Sequence, residues 1–395
     1  MKRYFLLLIS LSMYIHATAQ YSWTVKNDFP NNRYSTSFFK IGSKGYVGLG
    51  NNGSGNNEWW EYNAVNDTWT QKANYPVPNI WAAACFSIKG KGYIISGTTG
   101  SYITDFYEYD PIMDTWTQLS NFPGIGRQDA GSFELNDLGY ILCGYGGGYF
   151  NDLWQYDQNS NTWTQKASFP GLDRTGLSTF VLGNFAYVGL GFRNGQTFND
   201  FFCYNSANDV WVQISDFPGS SRNSAASFSY DGLGFCGLGY DNSLTYYNDF
   251  YTYNPNNNVW TQIANYPGPP TSYVFTLPLG ERAFVGTGRG PGNVFRDEVY
   301  EISRGTSSTS NISKTNTLAT LVYDNSGATL NLNYNNFNKS ELEIYTITGN
   351  LVVNSEVSSF QKIHLNDIVK ISAGTYIYKL ISDDREQSGK FVTFK

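Results

Sequence analysis

Residues 138–170 read LGYILCGYGGGYFNDLWQYDQNSNTWTQKASFP. Tyr140 opens an apolar run that stops at glycine. Tyr156 lies seven residues before Trp163, and Pro170, behind Phe169, lies seven residues after it. The same beat runs along the chain. Trp23, Trp69, Trp116, Trp163, Trp211 and Trp260 are separated by 46, 47, 47, 48 and 49 residues. Each is followed by an aromatic-proline pair: Phe29-Pro30, Tyr75-Pro76, Phe122-Pro123, Phe169-Pro170, Phe217-Pro218 and Tyr266-Pro267. A fixed period of this length marks a repeat architecture.

Within the third repeat, Ala130–Leu135, Gly139–Cys143, Leu153–Asp157 and Thr162–Lys166 are short runs rich in aromatic and β-branched residues. Gly, Asn and Asp separate them, as antiparallel strands require. Four strands per repeat is the geometry of a propeller blade. No stretch keeps a helical apolar period, so the fold class is all-β. The last repeat has no tryptophan; the one it lacks stands in Tyr21–Val25. That segment is therefore expected to pair beside Val299–Ser303 and close a ring of six blades, removing the open edges.

The repeats resemble the kelch family over residues 21–303. The resemblance rests on the strand-ending glycines (Val47-Gly48-Leu49-Gly50, Val188-Gly189-Leu190-Gly191), the tyrosine-to-tryptophan spacing and the recurring aromatic-proline. It implies a six-bladed β-propeller.

Residues 1–19 read as a secretory signal peptide: Lys2 and Arg3, an apolar run, then Ala17-Thr18-Ala19 before a cut at Gln20. The cut leaves 26 − 2 = 24 basic against 32 acidic residues, a net charge of −8. An acidic chain without a basic run is unsuited to nucleic acid. No segment has the length of a transmembrane span. Histidine is confined to His16 and His364. The repeats therefore hold no Ser-His-Asp triad and no His-ligated metal. Cys85, Cys143, Cys203 and Cys236 sit in different repeats, without zinc-like spacing, and read as small buried hydrophobes. No cofactor or metal is expected.

Strand parity places the connections between blades on one face with the loops between second and third strands. Those connections carry Arg33, Arg127, Arg174 and Arg222, with Ile80 and Thr271 at the other two phases. The loops vary and are aromatic. Trp81, Tyr149, Phe192 and Tyr240 join the four arginines as the candidate ligand-binding set, because variable loops on a rigid scaffold are where binding is usually placed. Two readings of the arginines stay open: ligand contacts, or structural groups bonding loop carbonyls and acids. Asp129 and Asp173 read as neutralising partners for them. Glu58, Asp105, Asp152, Asp200, Asp249 and Glu298, each before a third strand, read as loop caps. The opposite turns, such as Asn63–Asp67, read as turns and nothing more.

Residues 304–316 form a Ser/Thr-rich linker. Residues 317–395 show seven short strand-like runs, the pattern of a small immunoglobulin-like β-sandwich. This segment resembles the C-terminal sorting domain of type IX secretion cargo in Bacteroidota, of the Por type. The residues are Leu342–Gly349, the Gly374-Thr375-Tyr376 strand and the closing Gly389-Lys390-Phe391. The resemblance makes Gly349, Gly374, Tyr376, Gly389 and Lys390 the sorting motif. It implies the type IX secretion machinery as a partner, and release or attachment at the cell surface.

The absence of a catalytic constellation favours binding over catalysis. The expected function is a secreted or surface propeller that binds a glycan or protein. One alternative is a sugar-acid mutarotase similar to N-acetylneuraminate epimerase, which needs only acid–base groups and arginine. The other is a surface adhesin or assembly scaffold.

Overall fold

The computed structural model describes residues 21–305 and, beyond them, 319–324, 327–332, 340–346, 350–357, 362–364, 374–382 and 385–393. The signal peptide with its cut at Gln20, most of the linker, and Gly349 lie outside the described residues. The chain divides into two compact units, Met1–Ser307 and Ser308–Lys395.

The first unit holds six four-stranded antiparallel sheets, each with its strands in sequence order from the inside out, except the last. Blade 3 shows why this sequence folds so. Its inner strand, Gly131–Leu135, alternates buried and open positions. The second, Leu138–Leu142, is buried along nearly its whole length and accordingly apolar. The outer strand, Thr162–Lys166, presents Thr, Gln and Lys at the edge, which blunts it against pairing with another chain. Asn136 and Asp137, both left-handed, make the tight hairpin between the first two strands. The inner strands of blades 1 to 6 contact one another in a closed circle.

The closure follows the expected pairing. Tyr21–Lys26 lies antiparallel beside Val294–Arg304, with Tyr21 opposite Arg304 and Lys26 opposite Val299. The last blade is thus built from both ends of the propeller segment. One departure from the expected all-strand reading is a 3-10 turn at Pro291–Asn293.

Backbone bonds lash the blades together in two rings. In the inner ring Ala82 N–H donates to Ser35, Asp129 to Ala82, Gly176 to Asp129, Ser224 to Gly176, Tyr273 to Ser224, and Ser35 to Tyr273, at 2.9–3.2 Å. All six residues have positive φ. In the outer ring the strand-ending glycine of each blade donates to the next blade's connection. Gly97 donates to Arg127, for example, and Gly288 to Arg33. The glycine is required. A Cβ on Gly288 would lie 2.6 Å from the Ser272 carbonyl oxygen, and φ there is 117°.

The inner strands add a third set of bonds from side chains. Thr276, Ser227, Thr179 and Ser132 each donate a hydroxyl to the preceding blade's carbonyl, and Cys85 donates its thiol to Phe38. Phe38 has no donor, so the series stops at the junction of blades 1 and 6.

The third–fourth turns do more than reverse the chain. Asp114 takes the Tyr109 hydroxyl and the Ala73 amide of the preceding blade. Asp209 does the same with Tyr204 and Ala167, and Asn258 with Tyr253 and Ser215. The recurring tryptophans complete these latches. Trp116, Trp211 and Trp260 donate their indole N–H to Ala73, Ala167 and Ser215 carbonyls. Expecting only turn chemistry there missed a function that lies between blades.

Among the described residues the second unit carries seven strands in two sheets. One is Ala319–Asp324, Gly327–Leu332 and Lys362–His364; the other is Leu351–Val357, Ser340–Thr346, Gly374–Ser382 and Arg385–Thr393. Leu342, Ile344, Tyr376 and Tyr378 are buried. Gly374 opens a strand that pairs with the strand holding Gly389 and Lys390.

Candidate functional site

The bridges Tyr34–Asn51, Trp81–Thr98, Gln128–Tyr145, Thr175–Phe192, Asn223–Tyr240 and Ser272–Arg289 tie each interblade connection to a second–third loop. Connections and loops therefore share one face, around one mouth of the central channel.

The four arginines do not open onto that mouth. Arg33, Arg127, Arg174 and Arg222 are at most 1% exposed. Arg127 pairs through two bonds with Asp152, the Nη2 one at 2.9 Å, and donates to the Cys143 and Ile125 carbonyls. Arg174 makes the same set with Asp200, Leu190 and Leu172. Arg222 makes it with Asp249, Leu238 and Ser220. Arg33 pairs with Glu58 at 2.7 Å and donates to the Leu49 carbonyl.

The aromatic of the aromatic-proline pair is the floor of this site. Phe29, Phe122, Phe169 and Phe217 lie under Arg33, Arg127, Arg174 and Arg222 at 4.9–5.2 Å. Phe150, Phe198 and Tyr247 add a second ring against the guanidinium in blades 3 to 5, at 3.9–4.3 Å. Of the two readings left open for these arginines, the geometry supports the structural one.

The acids before the third strands are correspondingly more than loop caps: four of them are the arginines' partners. Asp129 and Asp173 are not. Asp173 bonds Arg193 at 2.8 Å, and Asp129 takes a bond from Gln128 Nε2 at 3.2 Å. Where Thr271 replaces the arginine, Arg296 comes in from its own loop and lies 3.5 Å from Glu298. Where Ile80 replaces it, no cation pairs with Asp105 among the described residues.

The candidate aromatics do face the mouth side. Trp81, Tyr149, Phe192 and Tyr240 are all partly open. Trp81 bridges Thr98, and the other three fall into two groups. Tyr149 and Phe192 belong to a run with Tyr102 and Tyr145. Tyr240 stacks on Tyr246 at 5.1 Å and shares a hydrogen bond with Tyr273, hydroxyl to hydroxyl, at 3.1 Å.

The second group centres on Arg289. Its guanidinium lies 5.0 Å from the Tyr34 ring, 5.2 Å from Tyr273 and 5.9 Å from Tyr240. Its Nε is buried without a hydrogen-bond partner. No carboxylate lies within ion-pair distance of it among the described residues. Asp129 and Tyr273 line the channel, which encloses about 460 Å³.

Asp129 keeps some surface open to the channel, yet the blades encircle it. That enclosure pushes its carboxyl up to about 6, with Gln128 and the Arg289 charge only partly opposing. Burial also holds the Tyr273 hydroxyl well above its ordinary range, with the Asp129 charge adding to it. Both residues have positive φ, 49° and 57°, where bulky side chains are rare.

Repetition hid this cluster from a sequence reading. At the phase of Asp129 the other blades carry Ser35, Ala82, Gly176, Ser224 and Tyr273. At the phase of Arg289 they carry Asn51, Thr98, Tyr145, Phe192 and Tyr240. The signal is charge: Asp129 and Arg289 are the one charged residue at each phase.

Residues 128–288 match the model of the KLHDC2/KLHL20/DRC7 kelch-repeats domain. Residues 322–393 match the secretion system C-terminal sorting domain. The chain is a kelch-repeat propeller with a C-terminal secretion sorting domain. The solved structure titled "Structure of YjhT" aligns at a TM-score of 0.63 and 15% identity, over 69% of this chain and 95% of that one. At that identity the likeness is one of fold. No curated protein matches the sequence. The sorting domain supports a secreted or cell-surface protein and implies handling by the type IX secretion machinery. No helix among the described residues is long and apolar enough to cross a membrane.

Proposed function

We propose that the protein is an exported binding protein whose ligand seats at the channel mouth, with a carboxylate-bearing sugar as the favoured ligand class. The observation that carries this is Arg289: a guanidinium without a carboxylate partner, set among Tyr34, Tyr240 and Tyr273. A cation held this way offers paired donors to a carboxylate. The tyrosine rings offer faces to a sugar and hydroxyls to its oxygens. Tyr240 keeps the role expected for it. The four buried arginines act as framework. The signal peptide cut and removal of the sorting domain on export belong to the same reading.

Asp129 favours a second reading, mutarotation of a sugar acid. A carboxyl near 6 is part protonated and part ionised close to neutral pH, which suits a group that both takes and gives a proton. Opening a sugar ring removes the anomeric hydroxyl proton and delivers one to the ring oxygen. Asp129 is the group placed to carry it.

The test is a glycan array on the purified protein, followed by a mutarotation assay on each sugar acid that binds. Arg289→Ala should abolish binding of acidic glycans. Asp129→Asn should keep binding and stop any mutarotation. Acidic glycans bound equally by the wild type and Arg289→Ala would overturn the assignment.

A further inference from the structure

Outside the arginine cluster, the connecting face carries a second ordered feature. Tyr102, Tyr145, Tyr149 and Phe192, from the second–third loops of blades 2, 3 and 4, form a continuous run of rings. Successive centroids are 5.8, 5.0 and 6.5 Å apart, and the first two contacts are edge-to-face. We propose that this run is a platform for the uncharged part of a glycan chain whose acidic end sits at Arg289. The proposal rests on the mouth reading above and extends it from a single sugar to an oligosaccharide.

Three observations carry it. The platform is preformed. Thr98 bridges Tyr102, and Tyr145 bridges Tyr149, so each loop is a small closed hairpin that holds its ring. The Tyr149 hydroxyl also accepts the Asn194 amide at 3.2 Å, which ties blade 3 to blade 4. Rings fixed before binding lose little freedom on contact.

The platform is also continuous with the mouth. Tyr145 and Gln128 exchange backbone bonds at 2.9 and 3.0 Å, and Gln128 Nε2 donates to Asp129. A ligand at Asp129 therefore has the Tyr145 loop as its immediate neighbour.

Charge and shape select the occupant. The charged pair beside the run, Arg193 and Asp173, is internally bonded at 2.8 Å. It neither attracts nor repels a ligand strongly. Three of the four rings end in a hydroxyl, and Tyr102 is 40% exposed. The tips at Gly147 and Gly148 have open space around them. Flat, hydroxyl-tipped rings beside open loops suit the apolar faces of sugar rings better than the bulky side chains of a peptide, which need pockets.

The experiment uses the full chain on an array of oligosaccharides of graded length, capped with uronic or sialic acid, together with their uncapped cores. The best capped member and its terminal sugar acid alone are then titrated against wild type, Tyr102→Ala and Tyr149→Ala. Tyr102 is exposed enough to be replaced without threatening the fold. The expected result is an affinity that rises with chain length. Each variant should lose about tenfold for the capped oligosaccharide and nothing for the sugar acid alone.

A sugar acid that binds with no gain from added length, unaffected by either variant, overturns the platform and leaves the mouth reading standing. Uncapped cores that bind as tightly as capped ones, and depend on Tyr149, keep the platform and overturn the mouth reading. Preference for a peptide over every glycan overturns the platform as a glycan site.

Discussion

Arg127 and Asp152, 25 residues apart in sequence, form a two-bonded ion pair with the guanidinium enclosed and the carboxylate partly open to solvent. The asymmetry decides which partner is safer to remove. Losing Asp152 strands a buried cation between Phe122 and Phe150. Losing Arg127 leaves a carboxylate that water can reach. Asp152→Asn should therefore destabilise the protein by about 3–5 kcal/mol, the cost of breaking a buried pair. Arg127→Met should cost less. Urea denaturation of both variants checks the order. Unchanged stability with lost ligand binding would return these arginines to a ligand role.

Trp163 should differ from its repeats. Trp116, Trp211 and Trp260 each bond the preceding blade, but the Trp163 indole N–H is buried without a partner. Asn161 takes the Tyr156 hydroxyl, yet no backbone amide of blade 2 is bonded to it among the described residues. Trp211→Phe should cost about 1 kcal/mol more than Trp163→Phe, the net worth of one hydrogen bond. Hydrogen exchange should likewise be faster at residues 115–121 than at the matching stretch of blade 4. Equal costs for the two substitutions would remove the distinction.

The contrast between these sites shows what the sequence made legible. Blade count, closure and the shared face followed from tryptophan spacing and strand parity, because each repeat copies one packing solution. The role of the arginines was not legible. Their partners stand 25–27 residues away, and only the fold sets Asp152 beside Arg127 or Asp249 beside Arg222. One clue was present. The aromatic before proline is Phe in every repeat with the arginine, and Tyr where Ile80 or Thr271 replaces it. That covariation fits a ring that packs against the guanidinium, at 4.9–5.2 Å. Asp129 and Arg289 were hidden for the opposite reason: each occurs once at its phase, 160 residues from the other.

Asp129 should make the protein less stable as pH rises. Its carboxyl is raised in the folded state from 3.8 to about 6. Between those values the folded protein holds a proton that the unfolded chain has released. Stability is thus highest below the unfolded value, falls through this window and stays lower above it. The ceiling on the effect is about 3 kcal/mol, and water in the channel reduces it. Asp129→Asn should flatten the pH dependence between pH 4 and about pH 6 and raise the melting temperature at neutral pH. Asn tolerates the left-handed backbone there. Thermal melts across that range are the check; a variant with the wild-type pH profile would show that Asp129 is not the group responsible.

The closing strand carries the last prediction. Tyr21 donates its hydroxyl to Asp231 at 2.9 Å, and Arg304 lies 3.6 Å from the same carboxylate. Both ends of the propeller segment are thereby pinned to one hairpin of blade 5. Trp23 packs edge-on against Phe250 and Tyr266 and donates to the Ala264 carbonyl at 3.1 Å. Deleting residues 21–26 would leave Val299–Arg304 unpaired along one side and uncover that aromatic cluster, and an unpaired edge beside exposed rings invites association. The deletion should give oligomers by light scattering. Trp23→Ala, which keeps the backbone pairing, should stay monomeric and lose about 3–5 kcal/mol, as large-to-small changes at packed aromatics do. A monomeric deletion with an unchanged melting temperature would mean that the circle of inner strands, with its backbone rings, holds the propeller shut without this strand.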